Sequence, residues 1–366
     1  LNKKRKYFMK RKVLITTGGS GGHVVPALTF YEHLKDDFDI FLSSDYRGSK
    51  FIDNKIYNFE IINVLPLTKN IIFLPKNIIL FIFAILKSLI FLKKNKINII
   101  ISTGGYMSLP VCFAAKVLNL KIILFEPNMV IGRSNLFLLN KCSLVLCYSK
   151  KILNFPNKYE NKIKLIPPII RKQIYFEKKN ENYNLENKIK ILIIGGSQGA
   201  DFFQTNLKDP ILKLSKKFHL DILHQVSKTN KQNLENFYKE NNIKYNLFDY
   251  KDDLYKSNSD INLCITRAGA SSLAELVYLN IPFIAVPFPH AKDNHQFYNA
   301  LFYKNLNCCW MIEQSSNFIN EIDNLITSII VNKNDINKKI DAMKKISYEN
   351  SWNNINQKLI NTINEN

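Results

Sequence analysis

A histidine stands directly behind a glycine turn in T-T-G-G-S-G-G-H-V-V-P, residues 16–26. The turn follows the apolar run Val13–Ile15 and leads into a helical pattern over Val24–Leu34. Its exposed amides and the helix N-terminus offer a cradle for an oxygen anion. A neutral His23 imidazole at that place can take a proton from a bound hydroxyl. The turn is neither a Walker A loop nor a dinucleotide fingerprint, because it lacks Gly-Lys-Ser/Thr and its G-G-x-G-G spacing departs from G-x-G-x-x-G. Two further turns repeat the arrangement, G-G-Y-M-S-L-P at 104–110 and G-G-S-Q-G-A at 195–200, the latter behind I-L-I-I. Three such turns point to a phosphate-bearing ligand. With a crevice in each half, they predict a cleft between two domains.

Other polar residues gather at the ends of apolar runs. Tyr106 follows the second turn, and Glu126 and Asn128 flank Pro127 at the end of Ile122–Phe125. Taken alone, Glu126 reads as part of a fixed turn. In T-R-A-G-A-S-S-L-A-E-L, Arg267 closes a strand and Glu275 lies inside the next helix, five residues past Ala270 and so outside capping distance. A carboxylate there can accept from both hydroxyls of a ribose or sugar diol. The loop V-P-F-P-H-A-K-D-N-H-Q adds His290, Asp293, Asn294, His295 and Gln296, a set equally consistent with a surface cap. No third ligand follows at metal spacing, so no metal and no cofactor are expected.

The elements that must position these residues alternate. Strands are predicted over 13–16, 40–42, 59–62, 97–102, 122–125, 144–149 and 163–167, then over 189–194, 221–225, 243–247, 261–265 and 283–286, with helices between them. This is the pattern of an α/β chain with mostly parallel sheets covered on both faces. A polar stretch, 177–188, separates the halves, and 334–364 reads as a helical tail that packs back across the domain junction. At 366 residues two cores are expected. The segment 71–92 is apolar nearly all round a helix but too short to span a bilayer without burying a lysine. It is either a core helix or an in-plane membrane patch framed by Lys76, Lys87, Lys93 and Lys94.

The net charge of +21 comes largely from lysines scattered among Asn and Ile. It reflects either compositional drift or an anionic surface as partner. No zinc finger, basic helix or aromatic stripe supports nucleic acid. The six cysteines fall in apolar patterns without a C-x-x-C pair, which predicts buried thiols in a reducing compartment. The basic N-terminus precedes an apolar stretch too short for a signal peptide, so retention in the cytoplasm is expected.

G-G-S-G-G-H-V-V-P at 18–26, G-G-Y-M-S-L-P at 104–110, E-P-N at 126–128, G-G-S-Q-G-A at 195–200, T-R-A-G-A-S-S-L-A-E-L at 266–276 and P-F-P-H-A-K-D-N-H-Q at 287–296 occur in one order along nearly the whole chain. The set resembles the bacterial peptidoglycan N-acetylglucosaminyltransferases of glycosyltransferase family 28. The resemblance implies a glycosyltransferase B fold, two Rossmann-like domains facing across a deep cleft. It places an acceptor and membrane-facing domain at 9–170, a UDP-sugar-binding domain at 171–345 and a helical tail at 346–366. The implied reaction is inverting transfer of N-acetylglucosamine from its UDP donor to the 4-hydroxyl of undecaprenyl-pyrophosphoryl-N-acetylmuramyl-pentapeptide. Another glycolipid acceptor for the same fold is the alternative.

By the same resemblance His23, Tyr106 and Asn128 are catalytic, and Gly19, Ser20, Gly21 and Gly22 with Asn128 face the lipid acceptor. Gly196, Ser197, Gln198, Gly199 and Arg171 face the donor diphosphate, with no metal. Arg267, Ala270, Glu275, His295 and Gln296 surround the nucleotide and donor sugar, Glu275 on the ribose hydroxyls. Tyr250 and Lys251 belong to the loop over uracil. The implied partners are the donor, the lipid acceptor, the anionic cytoplasmic face of the inner membrane, where the protein is peripheral, and other cell-wall synthesis proteins. Two departures stand out: Pro127 replaces the usual Gln and removes an amide and a backbone donor, and Leu165 precedes I-P-P-I-I-R where an Asn is common near Pro168.

Overall fold

Runs such as Ile99–Ile101 and Ile191–Ile193 have no polar face to offer water, and each becomes a central strand buried between helices. A computed structural model of the protein describes residues 10–64, 74–180, 188–227, 231–249 and 260–365, except the side chains of 197–200. The chain forms two compact units, one running to Lys172 and including the segment from Ser351 onward, the other spanning Gln173–Asn350.

Unit 1 runs β1 (Lys12–Thr16), α1 (Gly21–Leu34), β2 (Asp39–Ser44), α2 (Tyr46–Ser49), β3 (Phe59–Ile61), α3 (Leu74–Asn95), β4 (Ile99–Ser102), α4 (Leu109–Val117), β5 (Lys121–Glu126), α5 (Arg133–Leu138), β6 (Leu144–Cys147) and β7 (Ile163–Leu165). Unit 2 runs β8 (Lys188–Ile194), α6 (Gly196–Asn206), α7 (Lys208–Ser215), β9 (His219–Gln225), α8 (Lys231–Glu240), β10 (Lys244–Phe248), β11 (Leu263–Thr266), α9 (Ala270–Tyr278), β12 (Phe283–Ala285), α10 (His295–Asn305), β13 (Trp310–Met311), α11 (Phe318–Val331) and α12 (Lys333–Ser347). A final helix, α13 (Trp352–Asn364), returns to unit 1.

Both sheets are parallel and share one plan. Unit 1 has the order β3-β2-β1-β4-β5-β6-β7, and unit 2 the order β10-β9-β8-β11-β12-β13. Each order reverses beside its first strand, between β1 and β4 and between β8 and β11. Loops leaving those neighbours run to opposite faces and open a crevice at the strands' carboxyl ends, where doubly wound sheets bind ligands. All three glycine turns lie at such places, after β1, β4 and β8, and T-R-A-G-A follows β11.

The tail is helical, and its last part packs on unit 1. It breaks at Asn350–Ser351: α12 packs on α9 in unit 2, whereas α13 packs on α1 in unit 1. Ser351 caps α13 by accepting from the Asn354 amide at 3.2 Å. The His33 ring of α1 stacks on Trp352 at 3.8 Å, and the Asn356 side chain hydrogen-bonds its Nδ1. Burial there lowers the His33 pKa to about 4, against the smaller opposing pull of Asn356 and Glu32. The two-residue strand β13 carries too little periodicity to be read from sequence.

The helix α3 is not a core helix. Its Asn77, Ala84, Ser88 and Leu92 are buried and α3 packs on α4, while Ile79, Ile82, Phe83 and Ile90 are half or more exposed. By length and composition it could cross a bilayer, yet its buried stripe makes it a surface helix of unit 1. All six cysteines are buried and unbridged, and burial pushes the Cys112 thiol up to about 12.

Candidate functional site

In unit 1 the end of β4 fixes His23. The Thr103 amide donates to Thr16 O at 3.2 Å and its hydroxyl to Thr17 Oγ1 at 2.9 Å, so the Thr103 carbonyl is held in place beside the first turn. His23 Nδ1 lies 2.9 Å from that carbonyl. A carbonyl only accepts, so Nδ1 carries the proton and Nε2 is the ring's basic nitrogen. The second turn lies against the ring: Gly104 and Gly105 have φ of 87° and 82°, and a methyl on Gly105 would fall 3.3 Å from His23 Cδ2. Both the backbone angle and the space require glycine there.

The loop after β5 adjoins the second turn. Glu126 is 2% exposed and accepts from the Asn128 amide, Asn128 Nδ2, the Gly132 amide and Asn135 Nδ2 at 3.2, 2.9, 2.7 and 2.9 Å. It is therefore an internal brace, in line with the fixed-turn expectation, and it orients Asn128. Tyr106 opens a short 3-10 turn, its ring 6.2 Å from that of Phe81 in α3. Asn135, which sequence reasoning passed over, is buried and also donates to Phe125 O at 3.0 Å. Its only signal was a polar residue one turn into a short apolar helix.

Ser20 caps α1 through its backbone, and Gly21 and Gly22 form the first turn of that helix, where amides lack intrahelical partners. Gly19 differs from expectation, since its amide is occupied by Asp45 Oδ1 at 2.7 Å. Arg171 is half-buried near the end of unit 1, two residues before Gln173.

In unit 2 the third turn is more open. Gly196 has φ of 64°, and a methyl on it would meet nothing within 4 Å. Its amide donates to Gln225 Oε1 at 2.9 Å. Ser197, Gln198 and Gly199 continue the first turn of α6, and their side chains lie outside the described residues. Tyr250 and Lys251 lie outside the described residues as well.

Arg267 is buried at the end of β11. It is 6% exposed, with Nη1 donating to Val286 O and Pro287 O and Nη2 to Gln314 Oε1, and its guanidinium carbon lies 4.9 Å from the ring centres of Phe202 and Phe203. Burial lowers its pKa to about 10, which leaves it charged at neutral pH. Through these bonds it braces the ends of β11 and β12. Gln296 Oε1 accepts from the Ala268 and Phe288 amides at 3.1 and 3.0 Å, which orients its NH2 group. Before it, Asp293 and Asn294 both take left-handed backbone angles, φ of 53° and 56°, conformations that Asp and Asn tolerate best. His295 Nδ1 is 2.8 Å from Lys292 O, Ala270 begins α9, and Glu275 is 4% exposed within that helix. Among the described residues no cluster of three metal-ligating side chains occurs.

Two family models cover most of the chain: the glycosyltransferase family 28 N-terminal domain over residues 13–146 and the C-terminal domain over 190–355. A UDP-N-acetylglucosamine–N-acetylmuramyl-(pentapeptide) pyrophosphoryl-undecaprenol N-acetylglucosamine transferase of Pelagibacter ubique is 48% identical, covering 98% of this chain and 100% of the relative. The enzyme of the same name from Rickettsia canadensis is 32% identical over 88% of this chain and 91% of its own length. Among solved structures, MurG of Acinetobacter baumannii superposes with a TM-score of 0.75 at 22% identity, over 97% of this chain and 100% of that one, a likeness of fold. The order of the glycine turns, the two parallel sheets and these matches agree: the chain belongs to glycosyltransferase family 28, with the N-acetylglucosamine transferases it matches over nearly its full length.

Proposed function

We propose that the protein transfers N-acetylglucosamine from UDP-N-acetylglucosamine to the 4-hydroxyl of undecaprenyl-pyrophosphoryl-N-acetylmuramyl-pentapeptide, with inversion, in peptidoglycan synthesis. The observation that carries this is the His23–Thr103 hydrogen bond at the ends of the neighbouring strands β1 and β4, which makes Nε2 the ring's basic nitrogen. In the proposed mechanism Nε2 takes the proton of the attacking hydroxyl as the glycosidic bond to UDP breaks. Asn128, oriented by Glu126, and Tyr106 position the acceptor sugar. In unit 2 the amides of the third turn and the N-terminus of α6 offset charge on the leaving diphosphate. Glu275 accepts from the ribose hydroxyls, and the oriented NH2 of Gln296 donates to the donor sugar.

The acceptor reading draws further support from the surface of unit 1. Beside the exposed apolar residues of α3, the rings of Phe81, Phe113 and Phe137 form a chain from α3 through α4 to α5, and Lys141 lies 5.1 Å from the ring centres of Phe113 and Phe137. Exposed Lys76, Lys93 and Lys94 border the same helix, whereas Lys87 pairs with Glu60 at 2.7 Å. An apolar face bordered by lysines suits peripheral docking on an anionic bilayer, where the lipid acceptor resides. Roles in cell shape and division follow from the product's place in wall synthesis. Labelled UDP-N-acetylglucosamine with a short-chain lipid acceptor tests the proposal directly. Label entering the lipid product is expected; hydrolysis without transfer would refute it.

A further inference from the structure

We propose that Arg47 binds the pyrophosphate of the lipid-linked acceptor, its guanidinium held over the first two glycine turns by Asp45. The proposal rests on the acceptor assignment above and adds to it a residue that none of the motifs contains.

The segment S-S-D-Y-R-G at 43–48 leaves β2 beside β1. Asp45 has a side chain only 2% exposed, and its Oδ1 accepts from the amides of Gly19 and Gly48 at 2.7 and 2.9 Å. Its Oδ2 accepts from Arg47 Nε at 3.3 Å. Burial alone would push the Asp45 carboxyl up, but the two amides and the guanidinium outweigh it and hold it below the usual carboxylate range. The packing around it is close: a methyl on Gly18 would fall 2.5 Å from Asp45 Oδ1 and 2.8 Å from Met107 Cγ. Asp45, the first turn and Met107 of the second turn are thus one assembly.

Arg47 crosses the top of that assembly. Its side chain is 61% exposed, with Nη2 3.6 Å from Met107 Sδ and 3.8 Å from where a methyl on Gly19 would sit. One edge of the guanidinium is anchored through Nε, and Nη2 lies at the junction of the two turns. On the other side Phe51, half-exposed, lies 3.6 Å from where a methyl on Gly21 would sit.

Two physical arguments point this cation at a phosphate. An exposed arginine ordinarily samples many rotamers, and ordering it costs entropy at the moment of binding; the bond to Asp45 restricts it beforehand. A planar guanidinium then presents paired N–H groups that match two phosphate oxygens. The local charge balance also requires it. Gly19 N–H is already occupied, and the Asp45 carboxylate lies directly under the turn, so a pyrophosphate placed there meets a like charge. Arg47 supplies the compensating cation.

The test uses the full-length protein, with UDP at saturation to fill the donor site, and calorimetry with a short-chain prenyl pyrophosphate and the matching prenyl alcohol. Arg47→Ala is expected to weaken the pyrophosphate roughly tenfold to a hundredfold, as for loss of a hydrogen bond to a charged group, and to leave the alcohol unchanged. Arg47→Lys should restore part of the loss. In steady-state transfer Arg47→Ala should raise the acceptor KM by a similar factor with the donor KM unchanged. Pyrophosphate affinity within twofold of the parent, or an equal loss for pyrophosphate and alcohol, would overturn the assignment. Because binding is read directly, a parent protein that binds the pyrophosphate yet transfers no sugar would refute the activity and leave the anion site standing.

Discussion

Gly19 in unit 1 and Gly196 in unit 2 donate their amides to side chains at equivalent places, the ends of the second strands of their sheets, at 2.7 and 2.9 Å. The acceptors differ: Asp45, charged and paired with Arg47, against Gln225, neutral. The surroundings differ too. A methyl on Gly18 would collide with Asp45 and Met107, whereas one on Gly196 would meet nothing within 4 Å. Where the chains cross to the fourth strand, Thr103 and Arg267 bond back to the first strand alike, through Thr16 O and Ile194 O. Thr103 then holds a histidine, and Arg267 holds the neighbouring loops. One plan thus yields a close-packed, charge-balanced turn beside a histidine, and an open turn clamped by a neutral amide.

The largest expected effect falls on the close-packed side. His23→Ala should lower transfer roughly a hundredfold to ten-thousandfold, the contribution of a general base, with UDP affinity within twofold of the parent. A loss of less than about tenfold, or an equal loss of UDP affinity, would break the division of labour between the units.

Acid provides a second test, because each unit buries one neutral histidine. Burial lowers the His33 pKa to about 4 and that of His224 to about 3. In each case the unfolded chain, titrating near 6.5, takes the proton first as pH falls, so the stability contribution is complete above about 6.5 and is lost below it. For His33 the loss runs down to about pH 4 and amounts to about 3 kcal/mol. It should appear in unit 1 as faster amide exchange in α13, whose Trp352 stacks on the ring. His33→Phe should retain the stack and flatten the pH dependence of that exchange. Unaltered dependence in the variant would show that another group controls the docking of α13.

The neutral clamp can be given a charge. Gln225→Glu places a carboxylate against the third turn, and repulsion at close range in a partly buried site should weaken UDP by about 2 to 3 kcal/mol. Asp45→Asn should leave UDP affinity unchanged. Glu275→Ala should cost about 1.5 to 3 kcal/mol of donor affinity by loss of a hydrogen bond to a charged group. Calorimetry with UDP reads all three. A Gln225→Glu variant that binds UDP normally would mean that the third turn does not hold the diphosphate.

Most of the fold was legible because parallel strands buried on both faces are spelled as unbroken Ile, Leu and Val runs, as in Ile189–Ile194, bounded by glycine turns. The crevice residues that end those runs were legible for the same reason. The clamps were not. Asp45 sits in a polar S-S-D-Y-R-G stretch, and only its N-cap geometry, a side chain accepting from Gly48 three residues on, left a local trace. Gln225 ends a strand with no marker, and the charge of Arg267 gave no sign that it would be buried. Contacts between residues distant in sequence also divide the tail, since the helical spacing of Ile340, Met343, Ile355 and Leu359 says that faces are buried but not in which unit.

The smallest effect on stability is expected at the surface of α3, and it contrasts the two units once more. Phe83 in unit 1 is 60% exposed, whereas Phe203 in unit 2 is fully buried beneath Arg267. Phe203→Ser should cost about 3 to 5 kcal/mol as a cavity in a packed core. Ile82→Ser with Phe83→Ser should change stability by no more than about 0.5 kcal/mol, as substitutions away from packed features do. Phe81 is left intact because its ring packs against those of Tyr106 and Phe113. The same double variant should nevertheless lose sedimentation with anionic vesicles, since the apolar face supplies the part of the attraction that salt does not screen. In the parent, raising salt should weaken vesicle binding without abolishing it. If the double variant melts like the parent and still sediments fully, the apolar face of α3 is not what meets the membrane, and the attraction resides in the lysines alone.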